Sequence, residues 1–475
     1  MNRFRSMPFA TRIFLLALIV RLVPVIAAIH LPIGLDDMFQ YDMLARSIAS
    51  GNGYRWYSQP DLDLIHSYVD LQFIGDYDPQ GALTSFRPLG YPTFLALIYS
   101  ISDLEWRLFA ARLANAFLGA TLAPMTARLA QRLFPKQPRA ATFAAYTLAL
   151  YPIMVIYPLA LATENLFIPL VLAGLLVLLR AADTERDRDF LLAGAIFGVA
   201  TLTRSVIFAF VGLAVLWIWF AARQRRGAFV FGLVLLALVL PWTIRNSLLH
   251  NRPTFVENSW GYNFHMGFHP EGTGTFQYGI SLELLPYLDD GVRNEIGAQA
   301  GLDFIRQDPG RVPYLTIRKL GYFFGLERRA LIYFYSNNYF GNIPALPLSL
   351  IFLLFVLPFP FIISLAALGL PFIEWNKQRF LLLLLIGAYL LPHLILIAEE
   401  RFHLAILPIL AVLAGYAWSE RVQIIAAARA QRPKLALAFV LMGLLWLNWS
   451  LELWRDAGRL AILFGPDGNQ AGFPY

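Results

Sequence analysis

Cysteine is absent from the chain, which excludes disulfide bonds, thiolate metal sites and cysteine nucleophiles and leaves the redox compartment undetermined. Charged residues are also scarce, at 15% of 475 residues against roughly 25% in an average soluble domain. Hydrophobic residues make up 58% of the chain, and the apolar runs recur from residue 11 to residue 450. This composition predicts a multi-pass membrane protein and excludes a soluble enzyme with one anchor.

Acidic residues are fewer than basic ones: the chain has 31 Asp and Glu residues and 38 Lys and Arg residues, which gives a net charge of +7. The positive-inside rule for membrane loops accounts for an excess of this size. The sequence therefore predicts membrane lipids as surroundings and no nucleic-acid partner.

Hydropathy predicts eleven membrane spans, and a count of 11 to 13 is compatible with the shortest runs. The first run follows Arg3, Arg5 and Arg12 as a signal peptide would, but Arg21 interrupts it, and we interpret it as a retained helix. The predicted fold is an all-α integral-membrane bundle with short juxtamembrane helices in large outer loops. The predicted spans lie near residues 11–31, 108–128, 139–158, 164–181, 190–204, 205–222, 227–246, 345–370, 379–398, 402–419 and 435–450.

Loop charge predicts the orientation. Residues 32–87 hold eight Asp and three Arg, whereas the link after the second span holds Arg128, Arg132, Lys136 and Arg139. The first loop is therefore predicted outside and the second inside, provided that Leu89–Ile101 does not cross the membrane. With this choice the N-terminus is inside, the C-terminus is outside, and 32–107 and 247–344 are extracytoplasmic. The predicted parts are a membrane module at 1–246, an outer loop at 247–344, and C-terminal spans with an outer tail at 345–475.

Two carboxylates, Asp36 and Asp37, directly follow the first span at the predicted outer surface. A carboxylate here suits a general base that acts on the hydroxyl of an acceptor while the other substrate is held in lipid. The alternative is an N-cap at the start of an interfacial helix that runs to about Ser50 and ends at Gly51 and Gly53.

Several motifs, taken in order, resemble the polytopic glycosyltransferases of the GT-C superfamily. The closest branch contains the protein O-mannosyltransferases and the aminoarabinose transferases that modify lipid A. The motifs are Asp37-x-x-x-Tyr41-x-x-x-Ala45-Arg46, Gly51-x-Gly53-Tyr54, Arg87-Pro-Leu-Gly-Tyr91-Pro92, Arg112-Leu-Ala-Asn115 with Gly119, Thr163-Glu164, Pro241-Trp-Thr-Ile-Arg245-Asn246, and Glu400-Arg401-Phe-His403.

The resemblance implies a helical bundle, a polyprenyl-phosphate sugar as donor, and inversion at the anomeric carbon. It also implies that Asp37 is the catalytic aspartate, because the four-residue spacing to Tyr41 fits Asp37 and does not fit Asp36. Relatives often carry an acid directly after this aspartate, and here that position is Met38, so the choice between Asp36 and Asp37 stays open. Glu164 falls on the second acidic position. Tyr41, Arg46 and Tyr91 become candidate substrate-binding residues by their place in these motifs.

Cationic side chains are expected near the donor phosphate, because negative charge grows on the leaving phosphate during transfer. Arg87, Arg204, Arg245 and Arg401 lie near predicted outer ends of spans, although each could equally be an arginine that snorkels from a helix end. Arg245 is the first candidate, since Trp242 and Asn246 flank it.

Three further features allow predictions. Arg21 lies within the first span, where we expect a structural ion pair. His265, His269 and Glu271 have a spacing that suggests a metal site, but glycines at 261, 267, 272 and 274 argue against the helix that would place both histidines on one face. The sequence therefore predicts no metal ligands and no cofactor, and a divalent cation stays open. The aromatic stretch 333–339 could line a substrate site or form an interfacial belt.

The sequence as a whole predicts a glycosyltransferase of the cell (inner) membrane whose active site faces outward. Its acceptor could be a lipid, a glycan or a protein. One alternative is a transporter or lipid flippase, and another is a non-catalytic assembly subunit with the same fold. The sugar, the acceptor, the prenyl length and the oligomeric state leave no motif.

Overall fold

The structure is a computed structural model that describes residues 7–34, 36–68, 73–74, 76–331 and 342–473. The aromatic stretch 333–339 lies outside these residues. Within them the chain is mostly helical, and one two-stranded antiparallel sheet pairs β1 (Arg55–Trp56) with β2 (Ala82–Leu83). The prediction of an all-α membrane bundle is therefore confirmed.

The helices of the described residues are numbered in chain order. They are α1 (Phe9–Ala27), α2 (Asp37–Ala49), α3 (Gln59–His66), α4 (Gly90–Tyr99), α5 (Arg107–Leu133), α6 (Pro138–Leu150), α7 (Pro152–Ile156), α8 (Glu164–Thr184), α9 (Asp187–Thr203), α10 (Phe208–Leu216), α11 (Arg225–His250), α12 (Trp260–Phe268), α13 (Tyr278–Leu282), α14 (Asp290–Gln307), α15 (Arg311–Phe323), α16 (Ala345–Val356), α17 (Pro358–Gly369), α18 (Lys377–Ile395), α19 (Leu407–Ser419), α20 (Arg421–Ala430), α21 (Arg432–Arg455) and α22 (Ala457–Leu463).

Seven helical segments in the described part of the chain are long and apolar enough to cross a bilayer, and two bent helix pairs raise this number to nine. These segments coincide with nine of the eleven predicted spans. The other two predictions fall on α9, which has 17 residues, and on the short apolar segment Ser205–Ala221. The seven are Phe9–Ala27, Leu104–Leu133, Glu164–Thr184, Arg225–His250, Ala345–Phe372, Lys377–Ile395 and Arg432–Arg455.

Helix α4 agrees with the prediction that Leu89–Ile101 does not cross the membrane. It has 10 residues, so at 1.5 Å per residue it is about 15 Å long, half the hydrocarbon thickness of a bilayer. The helix packs on α2 through aromatic rings, since the rings of Tyr41 and Tyr91 meet edge to face at 5.4 Å. The two helices form one layer at the end of the bundle.

Arg21 differs from its prediction, because its fully buried guanidinium donates to backbone carbonyls and not to a carboxylate. The acceptors are Ala17 at 3.0 Å, Ala149 at 3.0 Å and Leu148 at 2.8 Å. The last two lie at the end of α6, where Pro152 has no N–H to return to the Leu148 carbonyl. Arg21 therefore satisfies the polar groups that are exposed by the 52° bend between α6 and α7.

The two long segments that were predicted to be extracytoplasmic pack against each other. Asp290, the first residue of α14, accepts hydrogen bonds from the Thr84 hydroxyl at 2.6 Å and from the Ser85 N–H at 2.7 Å. The ring of Phe86 meets Tyr262 of α12 edge to face at 5.3 Å. These contacts fix the backbone that leads from β2 into Arg87, the first arginine of the candidate site.

Candidate functional site

The two adjacent aspartates at the start of α2 have different surroundings. Asp36 is the N-cap, and its carboxylate accepts the N–H of Met38 at 2.8 Å. The residue is exposed at the start of the helix, where an N-cap lies. The N-cap interpretation therefore applies to Asp36, and it leaves Asp37 in the first turn with its side chain free for other contacts.

Asp37 lies between two arginines that come from distant parts of the chain. Arg87 donates to its Oδ1, and Arg401 donates to its Oδ2 at 3.2 Å. Each arginine is fixed by a second partner, because Arg87 donates to Gln40 at 2.8 Å and Arg401 forms an ion pair with Glu399 at 2.8 Å. The Asp37 side chain is still 34% exposed, so the carboxylate is accessible from one side.

The arginines set the protonation state of Asp37. Burial alone would raise its pKa, but the charges and hydrogen bonds of Arg87 and Arg401 outweigh burial and lower the pKa to about 2. Asp36 shows the opposite direction. Although the residue is exposed, neighbouring protein atoms reduce the solvation of its carboxylate, and this effect together with the charge of Asp37 raises its pKa. The two arginines thus hold Asp37 as an anion.

A second acid and arginine pair forms at the start of α8. Glu164, whose side chain is only 3% exposed, accepts from Arg204 at 2.5 Å, and Arg204 also donates to the Thr163 hydroxyl at 3.2 Å. A buried carboxylate without a cation would be costly, so Arg204 and Glu164 stabilise each other as a unit.

Phe402 joins the two pairs. The guanidinium carbon of Arg204 lies 5.3 Å from the centre of its ring, and that of Arg401 lies 5.6 Å from it. Guanidinium groups are attracted to the face of an aromatic ring at such distances. We refer to the resulting set as the carboxylate–arginine cluster, which consists of Asp37, Glu164, Glu399, Arg87, Arg204 and Arg401.

The two candidate tyrosines border this cluster. The buried ring of Tyr41 lies 5.4 Å below the guanidinium of Arg87 and positions it against Asp37. Tyr91 is fully buried behind Tyr41, and its hydroxyl accepts from Asn115 at 3.2 Å. Tyr41 therefore contacts the cluster directly, and Tyr91 acts through Tyr41.

Three other candidates from the sequence make contacts elsewhere among the described residues. Arg46 pairs with Asp42 at 2.8 Å and Asp61 at 2.6 Å, on a cleft of about 620 Å³ that is lined by α2, the start of α3 and the end of α4. Arg245 donates to the Thr84 carbonyl at 2.6 Å and lies 4.8 Å from the Trp242 ring. Asn246 is fully buried and donates to the carbonyls of Phe255 and Val256. The sequence put Arg245 first among the arginines expected at the donor phosphate, and that role stays a prediction.

Glu399 and Phe402 were not identified from the sequence. Glu399 immediately precedes the motif Glu400-Arg401-Phe-His403, and Phe402 lies inside it. Arg401 lies in the 3₁₀ segment Glu400–Ala405 and is directed toward Asp37. The neighbouring Glu400 instead accepts a hydrogen bond from the backbone N–H of Arg329 at 3.0 Å. Two adjacent acids before an arginine are a weak signal for an ion pair, because the spacing in sequence does not tell which acid the arginine contacts.

The argument from glycine at the histidine pair is wrong, because α12 is helical through Gly261 and Gly267. A Cβ at Gly261 would lie 1.9 Å from the Asn294 carbonyl oxygen, and one at Gly267 would lie 2.1 Å from the Leu396 oxygen. Close backbone packing therefore requires these glycines, and it outweighs their cost of about 1 kcal/mol each in a helix. His265 and His269 consequently lie one turn apart.

Comparison with known proteins finds similarity to one family over part of the chain. The profile of the family described as dolichyl-phosphate-mannose-protein mannosyltransferase matches residues 87–244, a stretch that contains Arg87, Glu164 and Arg204. The crystal structure of ArnT from Cupriavidus metallidurans, bound to undecaprenyl phosphate, is 16% identical with a TM-score of 0.43, over 94% of this chain and 79% of that chain. No curated protein sequence matches. The family match confirms the resemblance to GT-C glycosyltransferases and supports a membrane glycosyltransferase.

Proposed function

We propose that this protein transfers a sugar from a polyprenyl phosphate to a nucleophile, most simply a hydroxyl, on an acceptor at the extracytoplasmic membrane surface. The observation that carries the proposal is the position of Asp37, an accessible carboxylate that lies between Arg87 and Arg401 at the end of the bundle. Such a site combines a proton acceptor with cations that suit a phosphate, which are the two requirements of this transfer.

In this proposal the donor phosphate competes with Asp37 for the two guanidinium groups. As the bond between sugar and phosphate breaks, negative charge grows on the phosphate oxygens, and Arg87 and Arg401 stabilise it. An Asp37 oxygen that is released from its arginine can then accept the proton of the attacking hydroxyl. The bond to the acceptor oxygen forms as the bond to the phosphate oxygen breaks, so a single displacement inverts the anomeric carbon.

Glu164 is assigned to positioning in this scheme. Its pairing with Arg204 and its burial make it a poor proton acceptor, since Arg204 would have to move before a proton could arrive. The ring of Phe402 transmits the position of Arg204 to Arg401. We therefore expect Glu164 to fix the positions of Arg204 and, through Phe402, of Arg401, and we expect Asp37 to exchange the proton.

The experiment that tests the function uses purified protein in liposomes with a panel of labelled polyprenyl-phosphate sugars and a lipid extract as acceptor source. We expect one labelled sugar to be consumed, with release of polyprenyl phosphate and appearance of label in a second product. A flippase would move the lipid across the bilayer without breaking it, and a non-catalytic subunit would do neither. If folded and monodisperse protein consumes none of the donors in the panel, the proposal is contradicted.

The low pKa of Asp37 predicts a difference between two pH profiles. In the free enzyme the carboxylate is ionised at every pH well above about 2, so Asp37 should not produce an acid limb in kcat/KM between pH 4 and 7. With donor bound, the arginines are shared with phosphate, the pKa of Asp37 rises, and the acid limb of kcat should lie at higher pH. The measurement is a pair of pH–rate profiles.

The same profiles of Asp37→Glu supply the comparison. A limb in kcat/KM above pH 5 that moves in this variant would show that Asp37 titrates near neutrality in the free enzyme. That result would contradict the assignment of both arginines to the resting carboxylate.

A further inference from the structure

A second group of side chains converges in the outer segment that follows α11. The Nε2 atom of His265 lies 3.0 Å from one oxygen of Glu283, and the Nε2 atom of His269 lies 3.4 Å from the other. One ligand atom from each of the three residues lies within 4.8 Å of the other two. None of them belongs to the carboxylate–arginine cluster.

The helix places the two histidines on one face. His265 lies in the last turn of α12, and His269 follows four residues later as its C-cap, so that their rings meet at 5.1 Å. Glu283 approaches from the end of α13. The histidine side chains are 5% and 12% exposed, whereas Glu283 is 48% exposed, so the group is closed on the histidine side and open on the glutamate side.

We propose that His265, His269 and Glu283 bind one zinc ion, with the fourth ligand position open to water. Two imidazole nitrogens and one carboxylate oxygen form a donor set that zinc prefers over magnesium or calcium, which take oxygen ligands. Zinc–ligand bonds of about 2.0–2.2 Å in a tetrahedron separate the ligand atoms by about 3.3 Å. The two separations between nitrogen and oxygen in the structure, 3.0 and 3.4 Å, are close to this value.

Without metal, the Nε2 atom of His265 is hydrogen-bonded to Glu283 and that of His269 lies 3.4 Å from its other oxygen, while the backbone N–H of Glu271 donates to the Nδ1 atom of His269 at 3.2 Å. Zinc would take the Nε2 lone pairs, so each ring proton would move to Nδ1 and the contact with Glu271 would open. No net proton is released if both rings begin neutral. The two states differ in whether a metal or a proton joins each histidine to Glu283.

The location indicates what the ion would do. Tyr262 of α12 donates to the Ser281 carbonyl of α13 at 3.2 Å, and its ring packs on Phe86 next to Arg87. A metal ion bound by the two histidines and Glu283 would add a second connection between α12 and the end of α13. The ion is therefore inferred to hold the outer segment together and not to take part in sugar transfer, so this inference stands apart from the proposed function.

The test uses the full-length protein in detergent, with any affinity tag removed, after stripping with EDTA and dialysis against zinc chloride. We expect about one equivalent of zinc by elemental analysis, and a higher apparent Tm with zinc than with EDTA. Glu283→Gln keeps the size of the side chain and one acceptor oxygen, replaces the other oxygen by an NH2 group and removes the anionic ligand. It should weaken zinc binding at least tenfold and abolish the Tm increase. His269→Gln should do the same.

Two controls make the outcome decisive. His30→Ala removes an exposed histidine outside the group and should keep full zinc binding. The Tm of each variant in EDTA reports folding without metal, so a variant that melts like the wild type in EDTA has lost the ion and not the fold. Substoichiometric zinc in the wild-type protein, or unchanged zinc affinity in both Glu283→Gln and His269→Gln, would overturn the proposal.

Discussion

Asp37→Asn is expected to lower turnover by roughly 10²–10⁴-fold, the range typical for loss of a general base, with donor binding retained. Asparagine keeps the size and the hydrogen-bonding oxygen of the side chain but cannot accept the acceptor's proton. Arg87 and Arg401 lose the anion that they now share, so the donor phosphate should bind at least as tightly as in the wild type. The measurement is kcat from labelled donor, together with an independent donor Kd.

The neighbouring position offers a matched control. Asp36→Asn removes one carboxylate but keeps the N-cap of α2, since asparagine caps a helix as well as aspartate does. Its turnover should stay close to that of the wild type. The reverse pattern, with an active Asp37→Asn and an inactive Asp36→Asn, would move the base to Asp36. Glu164→Gln is expected to cost less than Asp37→Asn, because its role is positioning.

Arg401→Gln is expected to weaken donor binding by roughly tenfold to a hundredfold, the usual worth of a charge-assisted hydrogen bond to a desolvated group. The loss should be larger than the contact alone suggests. Arg401 pairs with both Asp37 and Glu399, so its removal leaves Asp37 with Arg87 alone and Glu399 with Arg329 at 3.8 Å, and more negative charge then faces the incoming phosphate. The measurement is the Kd of a polyprenyl phosphate, with a fluorescent or labelled lipid.

Arg55→Gln is the matched control for Arg401→Gln. Arg55 lies in β1 and pairs with Asp78 at 2.8 Å, but Asp78 is half exposed and the pair lies outside the carboxylate–arginine cluster. Surface ion pairs of this kind contribute little, so donor affinity should not change. An equal loss of affinity in both variants would show that net charge alone attracts the lipid and would remove the specific role of Arg401.

The sequence predicted the membrane bundle well because the signal for a span is long and redundant. A run of about 20 apolar residues survives errors of several positions, so nine predictions fall on helices or bent pairs of sufficient length. It also named Asp37, Arg87, Glu164 and Arg401 as candidates from short motifs in order, and Arg204 from its position near a predicted outer end of a span. The structure then brings these five into one cluster.

Side-chain direction was not predictable in the same way. Asp36 and Asp37 are adjacent, and only the backbone conformation at the start of α2 decides which becomes the cap. Arg245 has aromatic and amide neighbours in sequence, yet its guanidinium turns toward the Thr84 carbonyl. Arg21 was expected to find an acid, but Pro152 creates free carbonyls at the same depth. The outcomes for Arg245 and Arg21 depend on partners distant in sequence.

The contact between Asp37 and Arg401 has a consequence for biosynthesis, because 364 positions separate the two residues. At about 5–20 residues per second, the ribosome needs roughly 20–70 s after Asp37 before it makes Arg401. During that interval the carboxylate has at most Arg87 as its cation, with later spans still to be inserted. A chain that stalls before residue 400 could insert most of its spans and still lack one of the two guanidinium groups that flank Asp37. Membrane insertion and assembly of the site are therefore separable steps in time.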